Sequence, residues 1–187
     1  MAPPFVGTLV LASALVAGSP ALAQAIEPGR EGALGELVAP VPGRSACFAR
    51  RYDAQHLKSH PAQKVTAMAL RVRYHRHAPD GSHSQGQRNY YFTLSAGLRG
   101  RRDALLSSGE CGPRDGAIVC MIECDGGGFA LTREASGSVL LDLTRFGRLR
   151  LSRGCDEGES VELTPGRDDK IFRLPPVGDG GCSFADE

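Results

Sequence analysis

Between positions 66 and 75 apolar and polar side chains alternate, with Thr66, Met68, Leu70, Val72 and Tyr74 on one face and Arg71, Arg73 and His75 on the other. A period of two sends successive side chains to opposite sides of an extended chain, so this run predicts a strand with one buried face. A second run sets Tyr90, Phe92 and Leu94 against Asn89, Tyr91, Thr93 and Ser95 and predicts its partner. The polar stretch between them carries the turn signal Pro79, Asp80, Gly81, which makes the pair a hairpin with a long loop. Residues 117–123 are apolar on both faces, as in a central strand, and Asp125 with Gly126, Gly127 and Gly128 turns the chain into a run at 129–133. Ser136 and Gly137 lead into 139–143, and Phe146 and Gly147 into 148–152, where Leu149 and Leu151 face inward and Arg148 and Arg150 outward. This pattern predicts a continuing meander. Short runs at 161–163 and 171–174 bring the count to about eight strands, the spacing of a small barrel or sandwich.

Helical signals are few. Asp53 is placed to cap 54–59 before Pro61, and Asp103 to cap 104–108 before Gly109. The expected fold is therefore all-β: a single small antiparallel β-barrel or sandwich with one or two short helical turns.

The N-terminal end changes the picture from fold to address. An apolar run at 5–17 is followed by Gly18, Ser19 and Pro20 and then by the small-x-small tripeptide Ala21, Leu22, Ala23. This predicts a signal peptide at 1–23 cleaved before Gln24, since about 20 apolar residues are needed to span a bilayer. Removing 23 of 187 residues leaves 164, enough for one domain. Residues 24–46, rich in Gly and Pro, read as a flexible linker, and 47–187 as the domain. An exported chain meets oxidising conditions, so six cysteines predict three disulfides. Cys111 and Cys120 lie symmetrically about Asp115 and Gly116, a tight-hairpin dipeptide, and are expected to pair. Cys120 and Cys124 on one extended strand would be about 13 Å apart, too far for a bridge. Cys47 with Cys182 would staple the domain's ends, leaving Cys124 with Cys155. With 19 Arg against three Lys, the composition suggests a GC-rich bacterial genome, hence a periplasmic or secreted protein without a membrane anchor.

A net charge of +1 gives no electrostatic footprint for nucleic acid. His75 and His77 project from one strand face, and His83 could fold back to join them as a copper or zinc site, one alternative reading. His56 and His60 are spaced one helical turn apart, without the Glu that a metalloprotease helix needs as base. Neither a G-x-S-x-G elbow nor an S-x-x-K is present; a hydrolase with an unrecognised site is the second alternative. Asp168 and Asp169 read as solvating a turn. The leading expectation is a cofactor-free, non-catalytic binding or inhibitory module for an envelope protein or an anionic glycan. Its candidate residues are the basic stripe of Arg71, Arg73 and His75, a second stripe of Arg148 and Arg150, and Tyr91 for stacking. In size, address and general architecture the chain is similar to the small disulfide-bonded β-barrels that inhibit lysozymes in the bacterial periplasm. None of their inhibitory motifs is matched, so no residue role follows from that similarity.

Overall fold

The alternating runs become strands because each can bury one face only by pairing side by side with the next. In the computed structural model, which describes residues 26–123, 125–152, 160–178 and 180–182, they form β2 (Val65–Arg76) and β3 (Arg88–Leu98), an antiparallel hairpin in the register Tyr74↔Tyr90, Val72↔Phe92, Leu70↔Leu94. The remaining elements are α1 (Ala33–Leu37), β1 (Ser45–Arg51), α2 (Ala54–Ser59), β4 (Leu105–Arg114), β5 (Ala117–Ile122), β6 (Gly128–Arg133), β7 (Val139–Asp142), β8 (Leu149–Leu151), β9 (Val161–Leu163), β10 (Ile171–Leu174) and β11 (Pro176–Val177). Nine strands make one antiparallel sheet in the order β10-β7-β6-β5-β4-β3-β2-β1-β11. Its two edge strands are halves of a single segment, 171–177, interrupted at Pro175. The first half pairs with β7 and the second with β1, and the Pro175 carbonyl accepts the Ala49 N–H at 3.0 Å. The sheet thus curls into a nearly closed barrel, with proline where a ladder donor is dispensable.

The inward side chains fill the barrel. Tyr90, Phe92, Phe129 and Phe172 are at most 1% exposed, and Phe92 and Phe129 meet edge to face at 4.9 Å. At the β4–β5 hairpin, Asp115 (φ 52°) and Gly116 (φ 76°) both adopt the positive φ that the tight primed turn requires. Cys111 and Cys120 therefore stand directly opposite each other, Cα atoms 4.0 Å apart, and are bridged. Cys47 and Cys182 are bridged as well, Cα atoms 5.9 Å apart. Two disulfides are thus present; the expected third, Cys124 with Cys155, and the expected signal peptide fall on residues outside those described.

Several expectations are corrected. Residues 104–108 are not helical: from Leu105 onward they open β4, which pairs with β3 (Ala96↔Leu105). Five residues give little return on the cost of nucleating a helix, whereas an extended chain satisfies the β3 edge and buries Leu105 and Ser107. The meander does not continue through β8, which pairs instead with β9 in a separate two-stranded sheet while β7 pairs with β10. The β8–β9 hairpin closes the end of the barrel where β4 begins, inserting Leu149, Leu151 and Leu163, with the Ser152 N–H donating to the Leu106 carbonyl at 2.6 Å. The linker composition does not describe 26–44. Ile26, Leu34 and Val38 are buried in the main core, α1 packs on β4 and β5, and the Tyr90 hydroxyl donates to the Val38 carbonyl. This segment plugs the opposite end.

Asp168 and Asp169 do more than solvate a turn. Asp169 is 1% exposed and accepts the Lys64 and Val65 backbone N–H groups, while Asp168 accepts from Ala62, so the pair pins the α2–β2 connection across about a hundred residues of sequence. Asp53 caps α2 as expected, accepting the His56 N–H at 2.7 Å. Among the described residues no helix is long and apolar enough to cross a membrane.

Candidate functional site

Burial of Leu70, Val72 and Tyr74 leaves Arg71, Arg73 and His75 on the barrel's outer face. Register then decides their neighbours. Ser45, Arg73, Tyr91 and Glu110 form one row across β1 to β4, and Cys47, Arg71, Thr93 and Ser108 form the next. Between the rows lies an open depression of about 270 Å³ lined by Ser45, Arg71, Arg73, Tyr91 and Thr93. It joins two guanidinium groups, two hydroxyls and an aromatic ring. Arg73 is exposed, whereas Arg71 is half-buried and already engaged within the chain.

Tyr91 is held in place from one side. His77 Nε2 lies 2.8 Å from its hydroxyl, and the His75 and His77 rings pack around it, 4.4 Å apart and edge to face. Partial burial pushes its hydroxyl above the ordinary phenol range, reinforced by the Glu110 carboxylate, its hydrogen bond and Glu123, with Arg73 pulling the other way. Glu110 also accepts from Asn89 Nδ2 at 3.2 Å, while the buried Asn89 Oδ1 has no protein partner. Charge therefore changes sign along the row, cationic at Arg73 and anionic at Glu110.

The three-histidine arrangement is not assembled. His83 sits in the loop after β2 with Nδ1 3.3 Å from Asp80 Oδ1. The Asp80 carboxyl is held below its usual range by the backbone N–H groups of His83 and Ser82. Among the described residues no three His, Cys, Asp or Glu side chains are grouped so as to hold a metal. His56 and His60 stack on each other at 4.1 Å, with Tyr52 stacked on His56 and Gln63 bonded to its ring, so they consolidate the α2 end. The Asp53 carboxylate serves the His56 backbone N–H rather than its imidazole.

Arg148 and Arg150 do not join the first stripe. Arg150 lies on β8 and Arg148 immediately before it, at the end closed by the two-stranded sheet; Arg148 donates to the Asp125 carbonyl at 2.8 Å, and Glu162 lies 3.9 Å from Arg148 and directly opposite Arg150. Ser45, Thr93, Asn89 and Glu110 were not singled out as site residues in the sequence. Asn89 and Thr93 carried a signal, each being two residues from Tyr91 on the same face. No protein-family model, curated protein or solved structure matches this chain.

Proposed function

We propose that this chain is a non-catalytic binding or inhibitory module that works on its outer surface, taking an envelope protein or an anionic glycan in the depression around Arg73. The observation that carries this reading is the convergence of Arg71, Arg73, Tyr91, Ser45 and Thr93 on one concave patch, with guanidinium groups for anions and a ring for stacking. The packed interior supports it as well, because aromatic and aliphatic side chains occupy the volume that a carrier barrel would offer a ligand. The two disulfides favour an oxidising compartment, and with the export signal in the sequence they support a secreted or periplasmic address.

The test is charge reversal at Arg73. Arg73→Glu should abolish retention of the isolated envelope fraction and leave stability within about 0.5 kcal/mol, as for other solvent-facing substitutions. Retention by the unmodified chain should weaken as salt rises. Arg150→Glu, at the far end, should leave retention unchanged. Retention indifferent to Arg73→Glu would end the claim for this face.

A further inference from the structure

The surface around Arg73 is selective in its charge pattern, and that pattern narrows what fits. Directly across β3 from Arg73, on the far side of Tyr91, stands Glu110, with Glu123 close enough to act on the same ring. Two strand spacings separate Arg73 from Glu110, about 10 Å, which is comparable to the Debye length of about 8 Å at physiological salt. A densely charged polymer laid along this row would meet attraction at one end and repulsion at the other. A ligand with one anionic group and an otherwise uncharged body would meet only the favourable part.

The remaining lining groups specify that body. Ser45 and Thr93 offer hydroxyls that both donate and accept, suited to a hydroxyl-rich partner. Tyr91 offers an apolar ring whose own hydroxyl is tied to His77, so its orientation is set before a ligand arrives. The volume, about 270 Å³, falls just below the roughly 300 Å³ at which drug-sized pockets begin, which suits a small ligand of sugar size. The guanidinium fork of Arg73 matches the planar geometry of a carboxylate.

We propose that the depression is a subsite for a single acidic sugar unit, a pyranose carrying one carboxylate, with the carboxylate on Arg73, a ring face on Tyr91 and hydroxyls toward Ser45 and Thr93. This rests on the surface-binding reading above and deepens it. Arg71, being engaged within the chain, contributes positive potential and shape. Such a carboxylate occurs either on the ring, as in a uronic acid, or on an ether side arm, as in muramic acid; the shared chemistry is one carboxylate on a neutral ring.

Calorimetric or NMR titration of the intact chain with glucuronic acid, N-acetylmuramic acid, N-acetylglucosamine and heparin provides the test. At least one of the two acidic sugars should bind, with the neutral sugar at least about tenfold weaker, the discrimination expected of a hydrogen-bonded charge. Whichever acidic sugar binds identifies the source of the carboxylate. Arg73→Gln should lower that affinity by a similar factor with an unchanged thermal midpoint, and Tyr91→Ala should remove it. Equal binding of the neutral sugar, stronger binding of heparin, or binding insensitive to Arg73→Gln would overturn the proposal. If no sugar binds while Arg73→Glu still abolishes envelope retention, the acidic-sugar assignment falls and the surface-binding reading stands.

Discussion

Tyr90 shows how one buried hydroxyl ties stability to pH. It is fully buried, donates to the Val38 carbonyl, and is pushed up to about 12 by burial, aided by Glu31 and Tyr74. An unfolded tyrosine titrates near 10. Between those values the unfolded chain has lost a proton that the folded chain keeps, so this contribution is complete below pH 10 and disappears as pH rises toward 12. Chemical denaturation should therefore show stability falling by up to about 1.4 kcal/mol per pH unit in that window, with Tyr90→Phe flattening the slope. An unchanged slope would mean that the hydroxyl ionises in the folded barrel. Residues of this kind were only half legible. The period of two marked Tyr90 as inward and Arg73 and Tyr91 as outward, but cross-strand neighbours such as Ser45 and Glu110 depend on register, which side-chain pattern alone leaves open.

At the scale of elements, long alternating runs were legible and short ones were not. The β2–β3 hairpin and the Asp115–Gly116 turn follow from local patterning and turn chemistry. By contrast α1 and the first residues of β4 depend on partners far away in the chain. α1 has Gly32 at its N-cap and only Leu34 fully buried, so in isolation it reads as linker; it forms because the barrel end offers an apolar surface to cover. Leu34→Ala should accordingly cost about 2–5 kcal/mol, the range for truncating a buried leucine, measured by denaturant midpoint. A cost below 0.5 kcal/mol, typical of exposed sites, would show that the segment does not plug the barrel.

For the molecule as a whole, the two bridges differ most in what they enclose. Cys47 and Cys182 are separated by 135 residues, Cys111 and Cys120 by nine. In the chain-entropy account, the longer loop confers more stability by about 2 kcal/mol. Replacing both Cys47 and Cys182 by Ala should lower stability more than replacing both Cys111 and Cys120, with thermal unfolding as the readout. The reverse order would mean that packing around the inner bridge outweighs loop length.

The segment 171–177, which pairs with β7 through one half and β1 through the other, also sets an order of events in time. A chain emerging from its N-terminal end can lay β1 to β7 side by side while the closing segment is still unmade, and until then both β7 and β1 remain open edges capable of pairing with another molecule. The last contacts to form join parts of the chain more than a hundred residues apart, the kind of closure that slows folding. Any product stopped before Ile171 is thus a curved sheet with two adhesive margins, and should associate more readily than a chain that carries the closing segment.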